Sequence, residues 1–149
     1  MAELKGSGHC NELIPLDSKE FAQHYLLNEI LLIEAANVRL QLLSAMAHGI
    51  ETAGALLDGL PYKAKGQGKK RFDLALKKLF PASYSAANQQ INLYSQLRSH
   101  LAHSMIPSNL ISIEVGTEKH LQMEGNMLHI SLKMLFDDYC CAIEKLIQK

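Results

Sequence analysis

An arginine and a histidine five residues apart, Arg98 and His103 in the run Tyr94-Ser-Gln-Leu-Arg-Ser-His-Leu-Ala-His103, are the residues of this chain best suited to chemistry. A guanidinium stays charged at every physiological pH and stabilises the charge that builds on a phosphorane or a 2′,3′-cyclic phosphate. An imidazole moves a 2′-hydroxyl proton near neutrality. Ser99, between them, adds a hydroxyl that can orient a phosphate oxygen or simply face solvent. Together the arginine and the histidine suggest cleavage of RNA. Helix geometry adds a condition: at about 100° per residue, Arg98 and His103 stand roughly 140° apart around one helix. A kink at the helix end, or a second copy of the helix across a two-fold axis, must bring them together. A homodimer is therefore expected.

The chain has 149 residues, enough for one domain with a real core. Hydrophobic residues make up 48% but aromatic ones only 6%, which favours helical packing by Leu, Ile, Ala and Met. Lys and Arg balance Asp and Glu at 15 each, so no global field draws the chain to nucleic acid, and polyanion binding has to be local. One local cluster exists, Lys63-Ala-Lys-Gly-Gln-Gly-Lys69-Lys70-Arg71, followed by Lys77-Lys78. Lys69, Lys70 and Arg71 are its candidate RNA-binding residues, with salt-sensitive affinity; the alternative is a solvated basic loop. It is not a P-loop, because Lys70 follows Gly68-Lys69 and no glycine stands at position 63.

Neither metal nor cofactor is expected. His9-Cys10, Cys140-Cys141, His120 and His129 lack ligand spacing, and no Gly-x-Ser-x-Gly elbow is present. Three cysteines, two of them adjacent, do not make a disulfide framework and suit a reducing cytoplasm. Cys140 reads as core and Cys141 as a free thiol. With no apolar run of about 18 residues and no secretory apolar core at the start, no membrane association is expected.

These residues need elements to position them. Residues 1–16 carry Gly, Ser, Asn and Pro without periodicity and predict a flexible arm; residues 17–149 form the expected single domain. Asp17 and Glu20 form a capping-box-like start to a helix whose apolar stripe (Phe21, Tyr25, Leu32, Ala35, Ala36, Leu40, Leu43, Ala47) continues to about Leu57, with a bend near His48-Gly49. A loop over 59–68 leads to a short helix from Lys69 to Leu79, ended by Pro81. Ser85 is the expected N-cap of a third long helix with Ile91, Tyr94, Leu97 and Leu101 on one face, broken at Ile106-Pro107. Tyr94 reads as core or interface, with base stacking as the alternative. Three short strand-like runs, 110–115, 119–123 and 127–130, predict an antiparallel meander, and Ser131 caps a final helix. The fold class is mainly α: a bundle of about four helices with a small antiparallel β-meander before the last.

A helical bundle whose late helix carries Leu97-Arg98-Ser99 and Ala102-His103 resembles the HEPN superfamily, the higher eukaryote and prokaryote nucleotide-binding domains. The resemblance implies a metal-independent endoribonuclease site at a homodimer interface, formed by Arg98 and His103 with Ser99 assisting, in a toxin or defence setting. Active members often have Asn, Asp or His after the arginine, where this chain has Ser99, and the strand insertion is not part of the minimal pattern. Many members instead bind RNA or nucleotides. The second implied function is therefore a non-catalytic homodimeric nucleotide-, RNA- or protein-binding module, with a nucleotidyltransferase-like antitoxin as a candidate partner.

Overall fold

Asp17 begins the first helix as its spacing predicts, its Oδ1 accepting the Glu20 backbone N–H at 2.9 Å. The computed structural model describes residues 17–149; the expected arm, residues 1–16, lies outside the described residues. Helix α1 covers 18–35, with α-helical ends Ser18–Phe21 and Glu29–Ala35 around a π-helical segment, Ala22–Asn28. It does not continue to Leu57. Asn37 takes a left-handed φ of 56°, which a short polar side chain tolerates, and the N–H groups of Ala36 and Asn37 close the last turn on Leu32 and Glu34. Leu32, Ala35, Ala36 and Leu40, expected on the buried stripe, are exposed at this corner.

Helix α2, Arg39–Leu57, then continues unbroken through His48-Gly49, where a bend was expected. Gly49 is instead a close-approach glycine, since a Cβ there would overlap the Tyr139 hydroxyl. Helix α3 is Gly68–Leu79, with Phe72, Ala75, Leu76 and Leu79 buried. Helix α4, Ala82–Ile91, begins directly after Pro81, so Ser85 lies inside it and is not an N-cap. Asn92, at φ 56°, ends α4 and splits the expected third helix. Helix α5 spans 94–104, π-helical over Tyr94–Ser99 and α-helical over His100–Ser104. The outcome is a mainly helical bundle, with six helices among the described residues, because the two left-handed asparagines each divide one expected long helix.

The three strands, β1 (Ile111–Glu114), β2 (Gln122–Glu124) and β3 (Met127–Ser131), form a mixed sheet in the order β1-β3-β2, not an antiparallel meander. Only β2 and β3 form a hairpin, turning at Gly125 (φ 62°); β1 runs parallel to β3, with Ile111 opposite Leu128. Leu128 and Ile130 are fully buried, which puts β3 in the centre and sends residues 115–121 across to the far edge. His129 ties the sheet laterally, Nδ1 to Glu114 at 2.5 Å and Nε2 to Glu124 at 3.0 Å. Its hydrogen bond is the main cause that holds the Glu114 carboxyl below its usual range.

Helix α6, Leu132–Gln148, is capped by Ser131 as expected, its Oγ accepting the Met134 N–H at 3.2 Å. Leu135, Tyr139, Ala142, Ile143 and Leu146 bury one face of it in a core shared with α1–α5 and the sheet. Burial pushes the Cys140 thiol up to about 11, whereas Cys141 is exposed. Among the described residues, no helix is long and apolar enough to cross a membrane.

Where the sheet meets α4 and α6, Tyr84 donates to Asp138 at 2.6 Å and lies 2.9 Å from His120 Nε2. His120 Nδ1 accepts the Ser131 N–H at 3.1 Å, so the neutral ring carries its proton on Nε2. Burial lowers the His120 pKa from its ordinary value of 6.5, with Asp138 opposing in part. The unfolded chain thus binds the proton more readily than the folded one. The stabilisation is complete above pH 6.5 and is lost as pH falls through the lower folded value. Thermal melting of the parent should therefore drop as pH falls below 6.5, and His120→Gln should flatten that slope. Parallel slopes in the two proteins would remove His120 as the cause.

Candidate functional site

Helix α5 is held by Leu93, Leu97 and Leu101, all buried at four-residue spacing. Asn92 restarts the chain after the break, its backbone carbonyl accepting from Gln96 and its side chain from Ser95. The restarted helix takes the wider π form over Tyr94–Ser99, a form found disproportionately at functional sites. Arg98 lies in this π segment, one residue beyond buried Leu97, and its side chain turns towards α2.

There Arg98 Nε forms an ion pair with Glu51 Oε2, and its guanidinium carbon stands 5.8 Å from the Tyr94 ring centroid. Gly68 lets the start of α3 press on the same place, since a Cβ there would overlap the Tyr94 hydroxyl and stand 3.0 Å from Glu51 Oε1. Tyr94 packs edge-on to buried Phe72, so it is a support for Arg98 rather than a free stacking face.

Beside Arg98 opens a polar cleft of about 280 Å³. His48, Glu51, Thr52 and Ala55 of α2 form one wall; Tyr62, Lys63 and Ala64 of the following loop form the rim. The four α2 positions follow i, i+3, i+4, i+7 and therefore share one face. His48 Nδ1 lies 2.7 Å from the Ser44 carbonyl oxygen. A carbonyl only accepts, so Nδ1 carries the proton and Nε2 keeps its lone pair in the neutral ring. The cleft thus combines permanent cations, an imidazole acceptor, a hydroxyl and one carboxylate.

The expected basic cluster divides. Lys69 and Lys70 are exposed on the first turn of α3, but Arg71 is only 6% exposed and is not part of a free RNA-facing surface. Its Nε donates to Asp58 Oδ2 at 2.6 Å, and Nη1 and Nη2 donate to the Tyr62 and Pro61 carbonyls at 2.8 and 2.9 Å. The Arg71 hydrogen bond holds the Asp58 carboxyl below its usual range, against the opposing effect of burial. Arg71 is the tether that sets the loop carrying Tyr62 and Lys63.

His103 lies on the last turn of α5, exposed, and makes no side-chain hydrogen bond among the described residues. Ser99 is half-buried between it and Arg98. Within one chain Arg98 is committed to Glu51, while His103 is solvated beyond it. The sequence reading missed His48 and Glu51. Their signal was a polar face at helical spacing in an otherwise apolar helix, and Gly49 masked it by suggesting a bend.

A larger cavity, about 490 Å³, lies where the α1–α2 corner meets β1 and α6. Leu42, Leu43, Ile113 and Phe136 make it apolar, and none of the expected site residues lines it. Comparison with family models, with curated proteins and with solved structures finds no match to this chain.

Proposed function

We propose that this chain is a cytoplasmic, HEPN-like RNA-acting domain that works as a homodimer and cleaves RNA without metal. The observation that carries this reading is the position of Arg98, placed by a π-helical turn at a polar cleft lined also by His48, Thr52 and Lys63. Arg98 stabilises charge on the scissile phosphate, and Ser99 assists. His103, exposed one turn further on, moves a proton from the partner protomer's side of the two-fold axis. Lys69 and Lys70 supply the salt-sensitive hold on the backbone.

A second reading, a non-catalytic homodimeric nucleotide- or RNA-binding module partnered by a nucleotidyltransferase-like antitoxin, draws support from the Glu51–Arg98 pair, which already occupies the guanidinium. Incubation of single-stranded RNA with purified protein and excess EDTA separates the two. Fragments ending in 2′,3′-cyclic phosphate, from a protein that light scattering shows to be a dimer, are the expected result. Retained but uncut RNA favours the second reading, and a monomer that neither cuts nor binds RNA removes both.

A further inference from the structure

Among the described residues, His48 is the one imidazole that shares a cleft with Arg98 inside a single chain, and its hydrogen-bonding state is set by the fold. The Ser44 carbonyl takes the Nδ1 proton, so Nε2 is an acceptor, and it makes no hydrogen bond among the described residues. Arg98 across the cleft is purely a donor. A ligand in this cleft that satisfies both presents an anion to the guanidinium and an O–H to the imidazole. At about 280 Å³ the cleft lies just under the usual size of small-molecule pockets, which limits it to a small ligand. Lys63 at the rim offsets the Glu51 carboxylate, leaving the cleft cationic for a phosphate.

We infer that His48 reads the ribose: its Nε2 accepts the hydroxyl next to a phosphate that Arg98 holds, so the cleft selects a ribonucleoside 3′-phosphate over its 2′-deoxy counterpart. This rests on the RNA-acting reading but assigns a different residue to a different task. Glu51, the ion-pair partner of Arg98, is the carboxylate that the incoming phosphate displaces. His48 sits on α2 at the same cleft, so no partner protomer is needed for this contact.

The test uses the full chain and two probes, uridine 3′-monophosphate and 2′-deoxyuridine 3′-monophosphate, with the imidazole nitrogens of the seven histidines followed by NMR. The ribonucleotide should move His48 Nε2 saturably, while exposed His24 and His100 serve as internal references. It should bind about fivefold more tightly than the deoxynucleotide, the worth of one hydrogen bond. His48→Ala should abolish that preference while keeping the weaker affinity. Arg98→Ala should weaken both probes about tenfold or more, and Glu51→Gln should tighten both. Equal affinity for the two probes in the parent, or a His48 resonance that does not move, overturns the assignment even if RNA is cleaved. Discrimination at His48 in a protein that neither cuts nor binds RNA upholds it and overturns the RNA reading instead.

Discussion

Gly54→Ala should destabilise the fold by about 3 kcal/mol or more, read as a fall in the urea midpoint and in Tm. Helix propensity alone predicts the opposite sign, since alanine is about 1 kcal/mol better than glycine inside a helix. The packing decides. A Cβ at Gly54 would overlap the carbonyl group of Arg71 and stand 2.8 Å from the Arg71 Cα, so α2 and α3 touch backbone to backbone. Gly49 is the contrast, because the group it would meet is the far end of the Tyr139 side chain. At Gly54 no rotamer change relieves the overlap, and the helices must part. Since domains of this size hold about 5–15 kcal/mol in all, the variant should be partly unfolded in mild denaturant. A Gly54→Ala protein as stable as the parent, or more stable, would show that propensity outweighs the contact.

Arg98→Ala should lower the chelator-resistant RNA cleavage rate by about 10²–10³, the usual cost of removing one group that stabilises transition-state charge. Arg98→Lys should recover little, because a point charge does not reproduce the two-pronged guanidinium hold on phosphate oxygens. Melting curves for both variants are needed alongside. Alanine leaves Glu51, 21% exposed, without its partner, whereas lysine keeps the charge, so a rate loss common to both is chemical rather than structural. If His103 acts from the partner protomer, Arg98→Ala and His103→Ala homodimers are each inactive and the mixed heterodimer regains part of the rate. Cleavage by Arg98→Ala within about threefold of the parent, less than removal of one stabilising donor costs, would place the chemistry elsewhere.

Periodicity made the well-packed elements legible. Leu135, Tyr139, Ile143 and Leu146 recur at helical spacing after a serine cap, and α6 forms as that pattern requires. Phe72, Leu76 and Leu79 did the same for α3. The breaks were harder to see, because Asn37 and Asn92 lie inside apolar periodicity and reveal themselves only by the left-handed turn each adopts. Sheet order was hidden for a different reason. Turn residues at Gly116-Thr117 suggested a hairpin, but burial of Leu128 and Ile130 claims the centre for β3, and no local signal carries that competition. At the candidate site, the sequence offers Arg98 by its type alone, whereas the partners of a charged residue are set by tertiary contact. The run Lys69-Lys70-Arg71 reads as uniform charge, yet the helix turns its third member inward onto Asp58. The same blindness hid Glu51 and His48, which matter only because α5 and the loop after α2 arrive beside them.

Arg71 joins the core to the cleft in a way that bears on how the site can change. Its carbonyl forms the backbone contact with Gly54, and its guanidinium grips the segment that carries Tyr62 and Lys63 to the rim. The rim is therefore tied, through Arg71, to the contact between α2 and α3. Cooperative units that open separately are poor in buried contacts, and this one is anchored where α2 and α3 touch backbone to backbone. Ligand preference at the cleft should thus evolve by exchange of outward side chains, such as Lys63 or Thr52, on a fixed frame. Insertions or deletions in 58–64 would disturb the Arg71 tether as well as the specificity.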